Sequence, residues 1–175
     1  MKTMKKILAL ALAGVMALAL LTGCGTGGSA SHKSIAKAMA DYYRGVEYNP
    51  VEDNPNITCT SSSELDALLQ TWAANPGFKT AVKAFYENGT HPTIPSGSVL
   101  SGKVVYIFCG KYDKDAGKQV LNLNAHHACI STQNTDLANV RQIGLITTSF
   151  TDTNGKEVKV RFAVVVSDVP ATTTP

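Results

Sequence analysis

The sequence predicts an α+β domain in which three N-terminal helices pack on a meander of about four antiparallel strands. Two changes of pattern predict this fold class. Apolar residues recur every three or four positions between Ile35 and Tyr86, as in amphipathic helices. From Val104 onward the apolar period becomes two, and Val, Ile, Thr and Phe predominate, as in strands. This order of elements favours helices that cover one face of a single sheet.

Helix boundaries follow from capping residues and breakers. The first helix is predicted to begin at Ser31 or Ser34 and to end near Gly45. A loop with two Asn-Pro pairs is predicted from there to Thr60. The second helix follows the serines at 61–63 and stops at the Asn-Pro pair at 75–76. The third begins at that pair and ends at the Asn-Gly pair at 88–89.

Four strands are predicted in the second half of the chain. Residues 104–109 are apolar on both faces, which indicates an interior strand, and 113–118 are predicted to form its turn. The second and third strands are expected within 119–131 and 140–151, and the fourth alternates from Glu157 to Val166. Asn154-Gly155 predicts a type I′ hairpin between the last two strands. By architecture alone, the arrangement resembles cystatin-like and nuclear transport factor two-like folds.

The N-terminus has the composition of a secretory signal peptide. Lys2, Lys5 and Lys6 precede an apolar run of 15 residues, 7–21. This run is shorter than the roughly 20 residues that a membrane-spanning helix needs. We therefore expect the segment to be removed rather than retained.

Leu21-Thr22-Gly23-Cys24 follows this run and resembles the lipobox of bacterial lipoproteins. The resemblance covers the first 24 residues. It implies that a diacylglycerol is attached to the Cys24 sulfur and that the type II signal peptidase cleaves before Cys24. A lipid of two acyl chains gives stable membrane attachment, at about 0.8 kcal/mol per buried methylene. The expected location is the extracytoplasmic face of the cell membrane, and the expected partner is the bilayer, with no other cofactor.

Cleavage would leave 152 residues, enough for one domain. We expect a signal peptide at 1–23, a lipidated Gly/Ser-rich tether at 24–31, one α+β domain at 32–169 and a frayed tail at 170–175. Loss of three signal-peptide lysines leaves equal numbers of basic and acidic side chains. The composition therefore gives no indication of a nucleic-acid partner.

Cys59, Cys109 and Cys129 remain after Cys24 is set aside. A turn at 113–118 would place Cys109 opposite position 121, too far from Cys129 for a direct cross-strand disulfide. Cys59 lies on the predicted loop and is free to approach either thiol. We expect free thiols that pack as small apolar groups, with one disulfide as the alternative.

His127 and Cys129 form the strongest chemical candidate. Residues two apart on a strand share a face, whereas His126 points to the opposite one. A thiol beside an imidazole suits either a cysteine nucleophile with its base or two zinc ligands, with His91, His126 or Cys109 as further groups. Structural burial towards the core is the favoured interpretation.

Aromatic side chains suggest a separate binding surface. Tyr42, Trp72 and Phe85 are candidates for the lining of a groove between helices and sheet, although helical spacing also fits core positions. No phosphate-binding loop, HExxH, GxSxG or CxxC motif occurs. The expected function is therefore a non-enzymatic binding or accessory module for a peptide, small molecule or protein. The alternative is a thiol- or metal-dependent enzyme centred on His127 and Cys129.

Overall fold

The computed structural model describes residues 30–45, 54–131 and 136–170. These residues form four α-helices and five β-strands. In chain order they are α1 His32–Tyr43, β1 Thr58–Ser61, α2 Ser63–Ala73, α3 Phe78–Asn88, β2 Lys103–Lys111, α4 Ala116–Asn124, β3 His126–Cys129, β4 Val140–Thr151 and β5 Glu157–Asp168. The prediction of an α+β domain is confirmed.

The strands form one mixed sheet in the order β1-β4-β5-β2-β3. β1 is parallel to β4, and the other neighbouring pairs are antiparallel. The central strand β5 is buried continuously from Val160 to Ser167. Its apolar residues on both faces are explained by this position, because a central strand covered by two helical layers has no solvent-facing side.

Helices cover both faces of the sheet, so the prediction that they lie on one face was wrong. On the first face, which we call the α2/α3 face, Leu65, Leu69 and Val82 pack against sheet residues that include Phe162. On the second, the α1/α4 face, helix residues that include Ile35 and Leu123 pack against Val165 and its neighbours. The apolar stripes of α1, α2 and α3 were predicted correctly, but their placement on one common face of the sheet was wrong.

Two elements were not predicted, α4 and β1. The predicted turn at 113–118 instead leads into α4, whose N-cap Asp115 accepts a hydrogen bond from the Lys118 amide at 2.8 Å. The predicted loop that ends at Thr60 overlaps most of β1, which makes the sheet mixed rather than antiparallel. The order of the strands therefore differs from that of a simple meander.

Glycines allow two helices to approach the sheet closely. A Cβ on Gly110 would lie 2.2 Å from backbone atoms of Asn122 in α4. A Cβ on Gly144 would lie 2.4 Å from the Leu65 Cβ in α2. Real Cβ contacts are never this short, so each position requires the absence of a side chain.

The β4–β5 hairpin is confirmed, with a three-residue loop instead of the predicted two-residue turn. The Asp152 amide donates to the Lys156 carbonyl at 2.9 Å, and the Gly155 amide donates to the Asp152 carbonyl at 3.1 Å. Gly155 has φ of 78°, as expected of the left-handed residue that closes a loop of this length.

Candidate functional site

His127 and Cys129 lie on β3, opposite Phe108 and Tyr106 of β2. They share one sheet face, as the two-residue spacing predicts. The expected position near the core was wrong for His127, which is exposed at the edge of the sheet. Its ring stacks on Phe108, with 5.9 Å between centroids. The error arose because α4 replaces the strand that was expected to contain Leu121 and Leu123.

Hydrogen bonds fix the chemistry available to this pair. His127 Nδ1 lies 2.9 Å from the Asn124 carbonyl oxygen, which can only accept, so Nδ1 carries the proton. In the neutral ring, Nε2 is then the basic nitrogen. Cys129 Sγ lies 3.0 Å from Ser131 Oγ. The pair therefore combines an imidazole nitrogen that can accept a proton with a half-buried thiol.

The additional ligands suggested for this pair are found on the opposite side of the sheet. His126 packs 4.9 Å from the Tyr86 ring, and His91 packs 6.1 Å from the Phe85 ring, both at the α2/α3 face. Within the described ranges, no three His, Cys, Asp or Glu side chains are grouped as a metal site. The suggested zinc set of His127, Cys129 and His91 is not brought together.

The described cysteines are free thiols. Cys109 lies opposite His126, not position 121 as the turn had suggested. Burial raises the pKa of Cys109 from 9.0 to about 12. Burial also raises the pKa of Cys59 to about 12, although the neighbouring Arg141 acts in the opposite direction. Neither of these two thiols supplies a thiolate nucleophile at neutral pH.

The predicted aromatic groove does not form. Trp72 and Phe85 are buried in the core, where Trp72 packs edge-on against Phe78 and Phe162 at 4.7 and 5.3 Å. Tyr42 lies against the opposite core, 5.3 Å from the Tyr43 ring. The sheet separates these side chains, so they contribute to packing and do not line one binding surface.

An open strand edge is the feature that the sequence did not indicate. Beyond Ile143, no other described strand pairs with the outer side of β4. The Leu145 amide donates outward to Asp66 Oδ1 at 2.8 Å, and the Thr151 carbonyl accepts from Lys83 Nζ. Because alternate residues of a strand direct their backbone groups to the same side, those of Thr147 and Ser149 also point outward.

A surface groove follows this edge. Two adjoining cavities of about 430 and 500 Å³ share Lys79, Ser149 and Glu157. We call them together the β4-edge groove, and it is lined by side chains that include Lys79, Lys83, Thr147, Ser149, Glu157 and Lys159. The sequence located β4 correctly, but only the strand order shows that β4 has an open edge.

The Cys24 lipidation site and the signal peptide lie outside the described residues. Among the helices at 30–45, 54–131 and 136–170, none has both the length and the apolarity needed to cross a bilayer. No protein-family model, curated protein or solved structure matches this chain. The comparison with cystatin-like and nuclear transport factor two-like folds is not confirmed, because it assumed helices on one face of an antiparallel meander, whereas the sheet is mixed and has helices on both faces.

Proposed function

We propose that this protein is a lipid-anchored binding or accessory module on the extracytoplasmic face of a bacterial membrane. The observation that carries the proposal is the apolar run that ends in Leu21-Thr22-Gly23-Cys24. The two acyl chains on Cys24 would hold the protein at the membrane without a spanning helix. The bilayer is then its first partner, and the diacylglycerol is a covalent anchor rather than a cofactor.

The start of the folded domain supports a short tether. The Ala30 amide donates to the Lys114 carbonyl at 2.8 Å, and Arg161 Nη2 donates to the Ala30 carbonyl at 3.0 Å. Only five residues, 25–29, separate this point from Cys24. Even fully extended, that segment spans no more than about 18 Å, so the domain would work close to the lipid headgroups.

Two features favour binding over catalysis. The thiols of Cys59 and Cys109 are buried and protonated at neutral pH, which leaves Cys129 as the one described thiol that a catalytic role could use. The β4-edge groove, by contrast, presents backbone groups and lysines to solvent. Such an arrangement can hold a partner through hydrogen bonds and charge without bond-making chemistry.

Mass spectrometry and membrane fractionation of Cys24→Ala test the anchor. We expect the wild-type chain to begin at Cys24 with a covalent diacylglycerol and to sediment with membranes, whereas the variant is released. Cys129→Ala is the matched control and should stay membrane-bound. An unmodified Cys24, or membrane retention of Cys24→Ala, would contradict the proposal.

The second candidate is a thiol- or metal-dependent activity at His127 and Cys129. The observation in its favour is the bond from His127 Nδ1 to the Asn124 carbonyl, which leaves Nε2 as a base on the face that carries Cys129. Rapid alkylation of Cys129 that is lost in His127→Gln, or stoichiometric zinc in the purified chain, would favour this candidate over a binding module. Slow alkylation and no zinc would favour the module.

A further inference from the structure

We propose that the β4-edge groove binds an extended peptide segment rich in carboxylate side chains, which adds to β4 as a further strand. This inference names the ligand class for the proposed binding function, and it does not depend on the lipid anchor. It rests on three features of the groove: an open backbone edge, defined ends and an excess of lysine.

The open edge supplies hydrogen bonds that an extended peptide can complete. Thr147 and Ser149 each direct one N–H and one C=O away from β5, so a paired strand would gain four backbone hydrogen bonds there. Addition of a strand to an exposed sheet edge is a common mode of peptide recognition. Main-chain bonds would supply affinity largely independent of peptide sequence.

Side chains close both ends of this edge. Asp66 accepts the Leu145 amide, and Lys83 binds the Thr151 carbonyl while pairing with Glu87 at 3.1 Å. Neighbouring backbone groups at each end therefore have partners within the fold. The open stretch between them centres on Thr147 and Ser149, which fixes where a short peptide segment would pair.

The groove carries more positive than negative charge. Lys79, Lys83 and Lys159 line it together with Glu157, and Lys83 is also paired with Glu87, so the net excess is one positive charge. A second copy of the chain paired through β4 would bring the same lysines to the interface and would be disfavoured. A strand with glutamate or aspartate side chains would instead be attracted to them.

The groove also reaches both sides of the sheet edge. Lys79 belongs to α3, on the α2/α3 face, whereas Lys159 contacts the Tyr112 ring at 4.1 Å near Arg161, on the opposite face. Successive side chains of an added strand point to opposite faces of the sheet. A carboxylate on the side of the α2/α3 face would therefore meet Lys79. On the other face the Lys159 ammonium lies over Tyr112, on the far side of β5 from β4, so Lys159 reaches a carboxylate of the added strand only by leaving that ring.

Fluorescence anisotropy can test this with the full chain in detergent micelles. The probe is a labelled nine-residue peptide that alternates Thr with Glu-Glu pairs. We expect saturable binding, at least a tenfold loss when Lys replaces Glu in the peptide, and a similar loss when alternate backbone amides are N-methylated. Equal binding of the N-methylated peptide would overturn strand addition, because methylation removes the N–H donors and hinders pairing.

Two variants locate the site. Lys79→Glu should weaken binding of the acidic peptide about tenfold, which corresponds to ~1.4 kcal/mol. Lys118→Glu, an equal charge reversal at an exposed position of α4, should leave binding unchanged. Equal loss in both variants would indicate attraction to the whole surface and would overturn the assignment of the groove.

Hydrogen exchange gives a readout at single amides. Peptide should slow exchange at Thr147 and Ser149, with little change at Thr148, whose amide points towards β5. Concentration-dependent protection of these amides without peptide would show that a second copy occupies the edge, and would overturn the proposal. A chain that lacks the lipid but binds the peptide would disprove the anchor and leave this inference intact. A lipidated chain that does not bind the peptide would support the anchor and disprove this inference.

Discussion

The two faces of the sheet are built from different side chains. The α2/α3 face is packed with large aromatic residues, among them Trp72, Phe78 and Phe162. The α1/α4 face has mostly aliphatic residues around Phe108 and Tyr43, and two arginines are buried in the same half of the molecule, Arg141 at 1% and Arg161 at 3% exposure. One layer is therefore dominated by aromatic packing, and the other combines packing with buried cations.

This difference shows how each face is stabilised. Aromatic rings on the α2/α3 face bury large apolar areas and meet edge-on, a favourable geometry for ring pairs. On the other face, Arg141 lies 4.8 Å from the Tyr43 ring centroid, and Nε donates to the Ala138 carbonyl. Loss of a large ring from the α2/α3 face should therefore be more destabilising than loss of a smaller aliphatic side chain from the α1/α4 face.

The largest expected effect is that of Phe162→Ala. Phe162 is fully buried against Trp72 and Phe85, so we expect the free energy of unfolding to fall by about 4 kcal/mol. Val165→Ala, on the opposite face of the same strand, should lower it by about 2 kcal/mol. Urea unfolding measures both. A loss in Val165→Ala as large as that in Phe162→Ala would contradict the larger contribution assigned to aromatic burial on the α2/α3 face.

Each face also buries one thiol, and stability should fall at high pH as a result. Cys109 lies on the α2/α3 face and Cys59 on the α1/α4 face, and burial raises both pKa values to about 12. Between pH 9 and 12 the unfolded chain loses thiol protons that the folded chain retains, so the folded state loses relative stability. At pH 10 the two thiols should together lower the free energy of unfolding by roughly 3 kcal/mol.

A double variant isolates this contribution. Cys59→Ala/Cys109→Ala removes both thiols, so its stability should fall less between pH 8 and pH 10 than that of the wild-type chain. Urea unfolding at the two pH values gives the difference. Identical pH dependence in the two proteins would show that the thiols do not titrate as proposed.

Asp66 links the two faces, and its loss should have an intermediate effect. Its Oδ2 lies 2.8 Å from His32 Nδ1 of α1, and its Oδ1 accepts the Leu145 amide. We expect Asp66→Ala to lower the free energy of unfolding by about 2 kcal/mol, because it removes both contacts. Asp66→Asn should retain the Leu145 contact and lose less. If Asp66→Asn lowered the free energy of unfolding as much as Asp66→Ala, the Leu145 contact would not contribute as proposed.

The smallest effect is expected for Arg141→Met. A buried cation replaced by an apolar side chain of similar length often leaves stability nearly unchanged, so we expect a difference under about 1 kcal/mol. Arg141→Ala should be more destabilising, because it leaves a cavity beside Tyr43. Thermal unfolding of the two variants makes the comparison. A large loss in Arg141→Met would show that the charge itself stabilises this face.

The candidate site was predictable only in part. Residue spacing correctly placed His127 and Cys129 on one strand face, because alternation is a local property. Spacing could not show that α4 lies between β2 and β3 in the sequence. The predicted pairing partner of Cys109 and the predicted burial of His127 were therefore wrong. The sequence did not predict the β4-edge groove. Polar residues such as Thr147 and Ser149 occur on edge strands and on interior strands, so they do not show which edge of the sheet is open.

The sequence by itself determined the α+β class, the stripes of α1 to α3, the spans of β2, β4 and β5, and the Leu21-Thr22-Gly23-Cys24 motif on which the proposed anchor rests. These features depend on the 3.6- and two-residue periods or on short contiguous motifs. Tertiary structure alone decided that helices cover both faces, that β1 joins the sheet in parallel and that β4 has no strand partner beyond Ile143 among the described residues. Those outcomes depend on which distant segments become neighbours, and local periodicity carries no information about that choice.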